Sequence, residues 1–229
     1  MKLPLLISVP HAGLLVPEIV RSDCILSRED IVKDGDEGAA EVYDFADEVA
    51  QYVTTDVARA VLDMNRPEND RGADGVVKTH TCWNVPVYRG PLSEDKVAAL
   101  LETYYRPYHG ALQNSRKGVI LGIDCHTMAA LGPPIGPGPG IERPAMCLSN
   151  ADGTCPREWI RSLADCLERS FREKVSINHP FKGGYIIRRH SAKLPWAQLE
   201  LSRAPFATNS EKRRFLLEAL AEWCASGPR

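Results

Sequence analysis

Apolar and polar positions follow two different periods along the chain, and apolar runs of strand length recur between stretches of helical period. Residues 119–124 are apolar on both faces, which is typical of a central strand in a parallel sheet. Asn65, Arg66 and Pro67 end the second run, because proline cannot continue a strand ladder. The predicted strands are residues 5–9, 57–64, 119–124, 146–148, 185–189 and 198–202.

Helical periodicity separates these runs. Residues 36–53 carry apolar side chains three and four positions apart, with acidic residues in the first turn, where the helix dipole favours them. A second helix is predicted from Ser93, with a kink at Pro107. The predicted helices are residues 36–53, 93–112, 156–174 and 209–224.

Alternation of strands and helices predicts an α/β fold with a mixed, mostly parallel central sheet flanked by helices. We detect neither an internal repeat nor a linker, so residues 1–229 are predicted to form a single catalytic domain. Two irregular segments interrupt the pattern. Residues 68–90 form a long polar loop, and residues 131–144, rich in Gly and Pro, are predicted to form a flap after the central strand. Long loops in compact domains are more often functional than idle.

Composition narrows the functional classes. With 229 residues and 44% hydrophobic content, the chain is long enough to bury a continuous core. Its formal net charge of −2 predicts no general affinity for nucleic acid or anionic membranes. The apolar run at residues 3–10 is too short for a membrane helix and lacks the features of a signal peptide, so we interpret it as a buried strand. We therefore predict a cytoplasmic protein, monomeric or a small homo-oligomer, with its seven cysteines mostly reduced.

Reactive side chains occur where the predicted strands end. His11 follows the first strand, Asn65 and Arg66 follow the second, and Asp124 and His126 follow the central one. Ligands in open α/β sheets bind beyond the carboxyl ends of the strands. These residues are therefore predicted to surround a small-molecule site.

His11 and His126 are candidate ligands for zinc, which catalytic sites hold with three protein ligands and one open position. An acid from the turn before the first long helix completes the set, and Asp34, Asp36 and Glu37 are all available there. Another divalent metal is an alternative to zinc. The competing interpretation is that the histidines only form hydrogen bonds in polar loops.

Glu200 is a candidate proton shuttle. Strict alternation in residues 198–202 places it on one face of a strand while Leu199 and Leu201 face the core. Attack by water on an amide requires such a group. The alternative is an edge-strand glutamate paired with a surface cation. Arg66 and Arg89 are candidates to hold a substrate carboxylate, although loop arginines are common by chance.

Eight short motifs are spread across almost the whole chain. They are PHAG around His11, DGDEGAAEVYDF around Asp36, DMNR at Asn65 and Arg66, VYRGPL from Tyr88, YYRPYH ending at His109, IDCHTM around His126, NHPFKGGY including Gly184, and QLELSR around Glu200. Together and in this order they resemble the N-formylglutamate amidohydrolase family. One such motif would mean little, but eight in the family's order are specific. The family is similar to the zinc carboxypeptidases and aspartoacylases, which implies a zinc-carboxypeptidase-like hydrolase fold.

The resemblance implies a metal-dependent amidohydrolase that cleaves N-formyl-L-glutamate or a related N-acyl amino acid, with a place in histidine degradation. It implies zinc held by His11, Asp36 and His126, and Glu200 as general base. Leu14 stands where carboxypeptidases have a glutamate ligand, so Asp36 is the acid taken from the family's pattern. The substrate contacts implied or proposed are Asn65, Arg66, Tyr88, Arg89 and Gly184.

Two further hypotheses remain open at this point. In one, Cys125 is a nucleophile with His126 or His109 as its base, although strand alternation turns Cys125 away from the face of His126. In the other, the chain is a small-molecule binding protein that has kept the fold and lost the chemistry.

Overall fold

The computed structural model describes residues 2–114 and 117–227. Six strands form one sheet in the order β2-β1-β3-β6-β4-β5. Every neighbouring pair is parallel except β4 and β6, which are antiparallel, so the predicted mixed and mostly parallel sheet is confirmed. The strands are β1 (Leu3–Val9), β2 (Val49–Thr54), β3 (Leu121–Met128), β4 (Met146–Ser149), β5 (Val175–Ile177) and β6 (Trp196–Ser202).

Helices cover both faces of the sheet. A π-helical turn, Leu101–Tyr105, joins two of them just before Pro107, where the sequence predicts a kink. The helices are α1 (Glu18–Arg21), α2 (Arg28–Asp34), α3 (Ala39–Val42), α4 (Glu94–Leu100), α5 (Arg106–Asn114), α6 (Arg157–Phe171), α7 (Tyr185–His190) and α8 (Asn209–Ser226).

The two faces of the sheet bury separate cores. Leu5, Ile7 and Val9 of β1 belong to a core that includes side chains of α3, α6 and α8. Leu6, between them, belongs to a second core with side chains of α4, α5 and α7. Successive side chains of β3 and β6 likewise point to opposite faces of the sheet. Toward the carboxyl ends of β1, β3 and β6, the side chains on the second face are polar instead of apolar. The candidate site lies at these polar positions.

The predicted helix at residues 36–53 is wrong in its second half. The helical conformation is limited to α3, and the chain then turns into β2, which pairs in parallel with β1. The apolar positions Ala39, Val42, Phe45 and Val49 are all buried in one core, as predicted. Their spacing of three and four residues is typical of a helix, and pairing with β1 makes the second half of the segment a strand instead.

Two predicted strands are also wrong. Residues 57–64 are buried turns, because β2 already occupies the sheet edge beside β1. Residues 185–189 belong to helix α7, whose Ile186 and Ile187 are buried in the second core. Apolar content at these positions indicates burial, not conformation. The short strand β5 was not predicted.

The polar loop at residues 68–90, all of which the structure describes, consists of turns and bends with isolated bridges. A buried cation holds it to the rest of the fold. The Lys78 ammonium is fully buried and lies 3.1 Å from a carboxylate oxygen of Asp34 and 2.9 Å from one of Asp74. Asp74 also pairs with Arg66, so charge links the loop to the site.

The first strand is as buried as the sequence predicts, with Leu5, Leu6 and Ile7 inaccessible to solvent. Within the described residues, no helix combines the length and apolar character needed to cross a membrane.

Candidate metal and active site

Three side chains from separate parts of the chain meet at the carboxyl edge of the sheet. His11 follows β1, Asp36 follows α2, and His126 lies near the end of β3. The Nδ1 atoms of the two histidines are 3.1 Å apart, and an Asp36 carboxylate oxygen lies 3.0 Å from Nδ1 of His126 and 3.6 Å from Nδ1 of His11. Two ligands bound about 2 Å from a tetrahedral zinc ion are roughly 3.3 Å apart. The three atoms therefore fit one divalent ion.

Each histidine is supported from behind by a buried carboxylate. Nε2 of His11 donates a hydrogen bond to Asp63 at 2.8 Å, and Nε2 of His126 donates to Asp124 at 2.8 Å. A carboxylate only accepts hydrogen bonds, so each Nε2 carries a proton, and each Nδ1 is free to bind a metal ion once it is deprotonated. Metal-binding histidines almost always have such a partner. This arrangement supports a metal site more strongly than the three ligand atoms alone.

The charges of the cluster favour a cation at its centre. Burial by itself would raise the pKa of Asp36, but His11 and His126 hold it well below its ordinary value. Burial opposes a charged imidazole at His126, yet the carboxylates of Asp124 and Asp36 raise the pKa of His126 well above its ordinary value. The surroundings therefore stabilise the negative charge of Asp36 and a positive charge at His126.

Of the three acids open to the sequence prediction, Asp36 is the one that the fold brings to the histidines. Asp34 is directed elsewhere, because its carboxylate accepts hydrogen bonds from Lys78 and from the backbone N–H of Cys82. The Glu37 side chain is 65% exposed. His11, Asp36 and His126 have ligand atoms close enough to share one ion. They form the one such group of His, Cys, Asp and Glu side chains found among the described residues.

Glu200 lies beside this cluster on the neighbouring strand. It is paired in register with His126 across β3 and β6, and its side chain is on the same face. The Gln198 amide donates to a Glu200 carboxylate oxygen at 2.7 Å, and the other end of Gln198 accepts the backbone N–H of Gly184 at 2.6 Å. Burial raises the pKa of Glu200 to about 6, with His126 opposing the shift. A carboxylate with a pKa near neutrality suits a general base.

A cavity of about 490 Å³ opens over His11, His126 and Glu200. Residues of the Gly- and Pro-rich segment 131–144 contribute to its wall, and this segment lies at the carboxyl end of β3 as the sequence predicts. The volume lies within the range of small-molecule sites.

Four arginines line the cavity, and they differ in their partners. Arg59 donates to Asp63 at 3.3 Å and to a backbone carbonyl, and Arg66 pairs with Asp74 and lies 3.7 Å from Asp63. These two guanidinium groups are neutralised within the protein.

Arg143 and Arg203, also in the cavity wall, are less engaged. Arg203 lies 3.8 Å from the exposed carboxylate of Glu37. The buried Nε of Arg143 has no hydrogen-bond partner among the described residues. Burial lowers the pKa of Arg143, and the nearby charge of Glu200 acts in the opposite direction. Neither arginine was identified from the sequence.

Comparison with known proteins places the chain in a family. A family model described as N-formylglutamate amidohydrolase matches residues 3–207. The chain belongs to the N-formylglutamate amidohydrolase family. The resemblance found in its motifs is therefore confirmed.

Members and relatives of the amidohydrolase family match nearly the whole chain. The N-formylglutamate deformylase of Pseudomonas putida is 28% identical over 98% of this chain and 94% of its own length. A crystal structure of N-formylglutamate amidohydrolase from Ralstonia eutropha JMP134 superposes with a TM-score of 0.78 at 22% identity, covering 99% of this chain and 95% of the other. The gene product Atu2144 of Agrobacterium tumefaciens gives a TM-score of 0.73 at 18% identity, covering 98% and 90%. The last two show a shared fold.

Asn65 and Gly184, predicted as substrate contacts of this amidohydrolase, are both close to the cluster. The Asn65 amide donates to Asp124 at 3.3 Å and accepts the backbone N–H of Ile186 at 2.8 Å. Asn65 thus helps to hold Asp124, the carboxylate that accepts the hydrogen bond from His126. A Cβ on Gly184 would lie 2.3 Å from the Asn65 amide. The close approach that Gly184 permits is therefore to Asn65, whereas the sequence prediction was an approach to a ligand.

The structure does not bring Tyr88 and Arg89 to the cavity. Tyr88 is buried, with its hydroxyl directed to the carbonyl of Val61 at 3.4 Å, and Arg89 is exposed. Neither is among the described residues that line the cavity. The backbone N–H of Arg89 donates to the carbonyl of Asp23, and Tyr88 forms an antiparallel bridge with Cys24, so this segment pairs with the residues just after α1.

Cys125 occupies the opposite face of β3 from His126. It is 1% exposed and belongs to the first hydrophobic core. Burial and the charges of Asp124 and Glu200 raise the pKa of Cys125 well above its ordinary value. His109, the other proposed base, bonds to His190 and to the carbonyl of Met64. A nucleophilic thiolate is disfavoured at this position.

The sequence analysis missed Asp63 as a functional residue. Asp63 lies in the buried turns at residues 57–64 that were predicted as a strand, and no role was assigned to it there. Asp63 is the first residue of the motif DMNR, two positions before Asn65, and this position in the motif was the available signal. Gln198, which bonds to Glu200, was not assigned a role from the sequence either.

Proposed function

We propose that this chain is a metal-dependent amidohydrolase that cleaves the amide bond of N-formyl-L-glutamate or a closely related N-acyl amino acid. The observation that carries the proposal is the convergence of three ligand atoms, 3.0 to 3.6 Å apart, beside a buried glutamate. Family membership supports amide hydrolysis, and the name of the Pseudomonas putida relative supports the formyl substrate.

In this proposal His11, Asp36 and His126 hold the ion, with zinc as the first candidate and another divalent metal as the alternative. A divalent ion bound there supplies Lewis acidity, which polarises the acyl carbonyl and lowers the pKa of water. The donor set of two imidazoles and one carboxylate suits zinc. Asp63 and Asp124 orient the imidazoles through the hydrogen bonds to Nε2.

Glu200 performs the proton transfers. It accepts a proton from the attacking water as the carbon–oxygen bond forms, and it returns that proton to the leaving nitrogen as the carbon–nitrogen bond breaks. The products from a formyl substrate are formate and the free amino acid. Gln198 keeps the Glu200 carboxylate in place through its hydrogen bond at 2.7 Å. Burial of Glu200 excludes bulk water from the base.

The first experiment measures hydrolysis before and after metal removal. Purified protein should release formate from N-formyl-L-glutamate, lose this activity to a chelator, and regain it with Zn²⁺ or another divalent ion. Acetyl and succinyl derivatives of the same amino acid, assayed in parallel, define the acyl group. Full activity in a sample shown to be metal-free would refute the metal-dependent mechanism.

The second experiment tests the proton shuttle. Glu200→Gln should lower kcat by about 10²- to 10⁴-fold, the range for loss of a general acid–base group. Glu173→Gln is the matched control, because Glu173 is exposed and is not among the described residues that line the cavity. Normal turnover by a folded Glu200→Gln protein would remove Glu200 from the mechanism.

The two other hypotheses make different predictions. A binding protein without chemistry would hold the amino acid and release no formate, whether or not metal is present. A cysteine mechanism requires a reactive Cys125, whereas the buried thiol should resist alkylation in the folded protein. Cytoplasmic location, oligomeric state and a place in histidine degradation stay predictions.

A further inference from the structure

Arg143 occupies a defined position at the base of the flap, residues 131–144. Its backbone N–H donates to the carbonyl of Ala130 at 2.8 Å, and Leu131 pairs with Glu142 in an antiparallel bridge directly beside it. The backbone of Arg143 is therefore anchored although the flap itself is irregular. Its side chain lines the same cavity as His126 and Glu200.

The Arg143 guanidinium has protein contacts at one face and at one Nη, whereas its Nε has no hydrogen-bond partner among the described residues. Its plane lies over the ring of Phe181, 4.8 Å from the ring centre, and one Nη donates to the carbonyl of Pro137 at 3.4 Å. Nε is buried and lacks a hydrogen-bond partner within residues 2–114 and 117–227. A buried donor without a partner costs free energy comparable to a lost hydrogen bond. A ligand that supplies an acceptor would remove this cost.

The other cavity arginines are poorer candidates for the same role. Arg66, the predicted carboxylate contact, already pairs with Asp74 and lies near Asp63, and Arg59 donates to Asp63. A substrate carboxylate would have to displace these buried partners. Arg203 has the carboxylate of Glu37 at 3.8 Å. Arg143 alone of the four has an unpartnered buried nitrogen among the described residues.

We propose that Arg143 binds a carboxylate of the substrate amino acid and selects N-acyl amino acids with a free carboxylate over neutral amides. The proposal rests on the function proposed above. Guanidinium groups bind carboxylates through two parallel hydrogen bonds, and Nε with an adjacent Nη provides one such pair. The flap then has a direct part in recognition, because it carries this contact at its base.

The test measures binding and turnover in the full-length chain with Arg143→Gln, Arg143→Lys and a control, Arg214→Gln. Arg214 is exposed on α8, pairs with its helix neighbour Glu218, lies over the ring of Phe215, and is not among the described residues that line the cavity. L-Glutamate and its neutral analogue glutaramide serve as probes in calorimetric titrations. Kinetics with N-formyl-L-glutamate provide kcat and KM separately.

Arg143→Gln should bind L-glutamate about 10- to 100-fold more weakly than wild type, the range for hydrogen bonds to a charged group. KM for N-formyl-L-glutamate should rise with it. Arg143→Lys keeps the charge but cannot form two parallel hydrogen bonds, so its affinity for L-glutamate should lie between those of wild type and Arg143→Gln. This variant keeps the test informative if Arg143→Gln does not fold. Glutaramide binding and the Arg214→Gln control should be unchanged.

Equal affinity of wild type and Arg143→Lys or Arg143→Gln for L-glutamate would overturn the proposal, as would a wild type that does not bind L-glutamate. These outcomes differ from failure of the proposed function. If wild type releases no formate but binds L-glutamate in a manner that depends on Arg143, the hydrolase assignment is wrong and the carboxylate contact stands. If wild type releases formate and the Arg143 variants bind L-glutamate as tightly as wild type does, the carboxylate contact is wrong and the hydrolase assignment stands.

Discussion

Replacing Asp124 and Asp63 by asparagine tests whether the two carboxylates act on the metal ligands. Both substitutions preserve shape and remove one charge behind a histidine. Asp124 accepts the proton of His126 Nε2 at 2.8 Å, and Asp63 accepts that of His11 Nε2 at 2.8 Å. Loss of such a partner costs about 10- to 100-fold in metal affinity. At 1.4 kcal/mol per factor of ten, this is roughly 1.4 to 2.8 kcal/mol.

The structure predicts that the two substitutions are unequal. The oxygen of Asp124 that faces His126 also accepts from Asn65, while the other oxygen meets the hydroxyl of Ser8 at 2.8 Å. A hydroxyl can accept as well as donate, so the new amide NH₂ can face Ser8 and the oxygen can stay against the histidine. Asp124→Asn therefore keeps the tautomer of His126 and loses only the charge.

Among the contacts that the structure gives Asp63, every neighbour of its two oxygens is a hydrogen-bond donor. One oxygen accepts from His11 Nε2 and from the backbone N–H of Asn65, and the other accepts from Arg59 Nε at 3.3 Å. Wherever the NH₂ of Asp63→Asn is placed, it faces a donor. The conflict should cost a further 1 to 3 kcal/mol, about 5- to 150-fold.

The assay is competition for Zn²⁺ between protein and a chelator of known affinity, with melting curves of the metal-free proteins. We expect metal affinity in the order wild type, Asp124→Asn, Asp63→Asn. Ser8→Ala is the control, because it removes a hydrogen bond from Asp124 and leaves the bond to His126. Its metal affinity should stay close to wild type. Equal losses for the two asparagine variants, or the opposite order, would refute this account of the ligand supports.

Four further predictions concern Glu200, Lys78 and Gly184. Because Glu200 must be deprotonated to act and burial raises its pKa to about 6, kcat/KM should fall as pH drops below about 6. The same raised pKa favours the protonated folded state at low pH, so its stabilisation is lost as pH rises through 6; metal-free Glu200→Gln should melt higher than wild type at pH 8, and a lower melting temperature would contradict this. Lys78→Ala should lower the free energy of unfolding by about 3 to 5 kcal/mol in chemical denaturation, because Asp34 and Asp74 lose their shared cation; a loss below about 1 kcal/mol would show that the buried pair is not needed. Gly184→Ala should destabilise the protein by roughly 1 to 3 kcal/mol, since its Cβ would lie 2.3 Å from the Asn65 amide, and unchanged melting would exclude this clash.

The sequence predicts that the candidate ligands converge, because their positions depend on a rule that holds across parallel sheets. His11 follows β1 and His126 lies near the end of the neighbouring strand β3, and the carboxyl ends of the two strands share one edge. Glu200 is recognisable because a charged residue interrupts an alternating apolar strand. Neither inference requires the correct assignment of β2, which explains why the ligand positions were anticipated even though residues 49–54 were predicted as helix.

Elements that depend on tertiary pairing were harder to predict. Val49–Thr54 has apolar spacing compatible with a helix, and only the free edge of β1 makes it a strand. Tyr185–His190 has a strand-like composition, and it becomes a helix that packs its isoleucines against the second core. In both cases burial was predicted correctly and conformation was not, because hydrophobicity constrains the first more directly than the second.

The arginines show where sequence reasoning stops. Arg66 and Arg143 are the same residue type, each followed by proline, and only Arg66 lies in a motif that attracts notice. Their difference lies in what surrounds them. Asp74 neutralises Arg66, whereas the Nε of Arg143 is buried with no partner that the described residues provide. Whether a guanidinium is available to a ligand depends on long-range contacts that no local pattern encodes, so an unsatisfied buried donor is the more informative guide to substrate recognition.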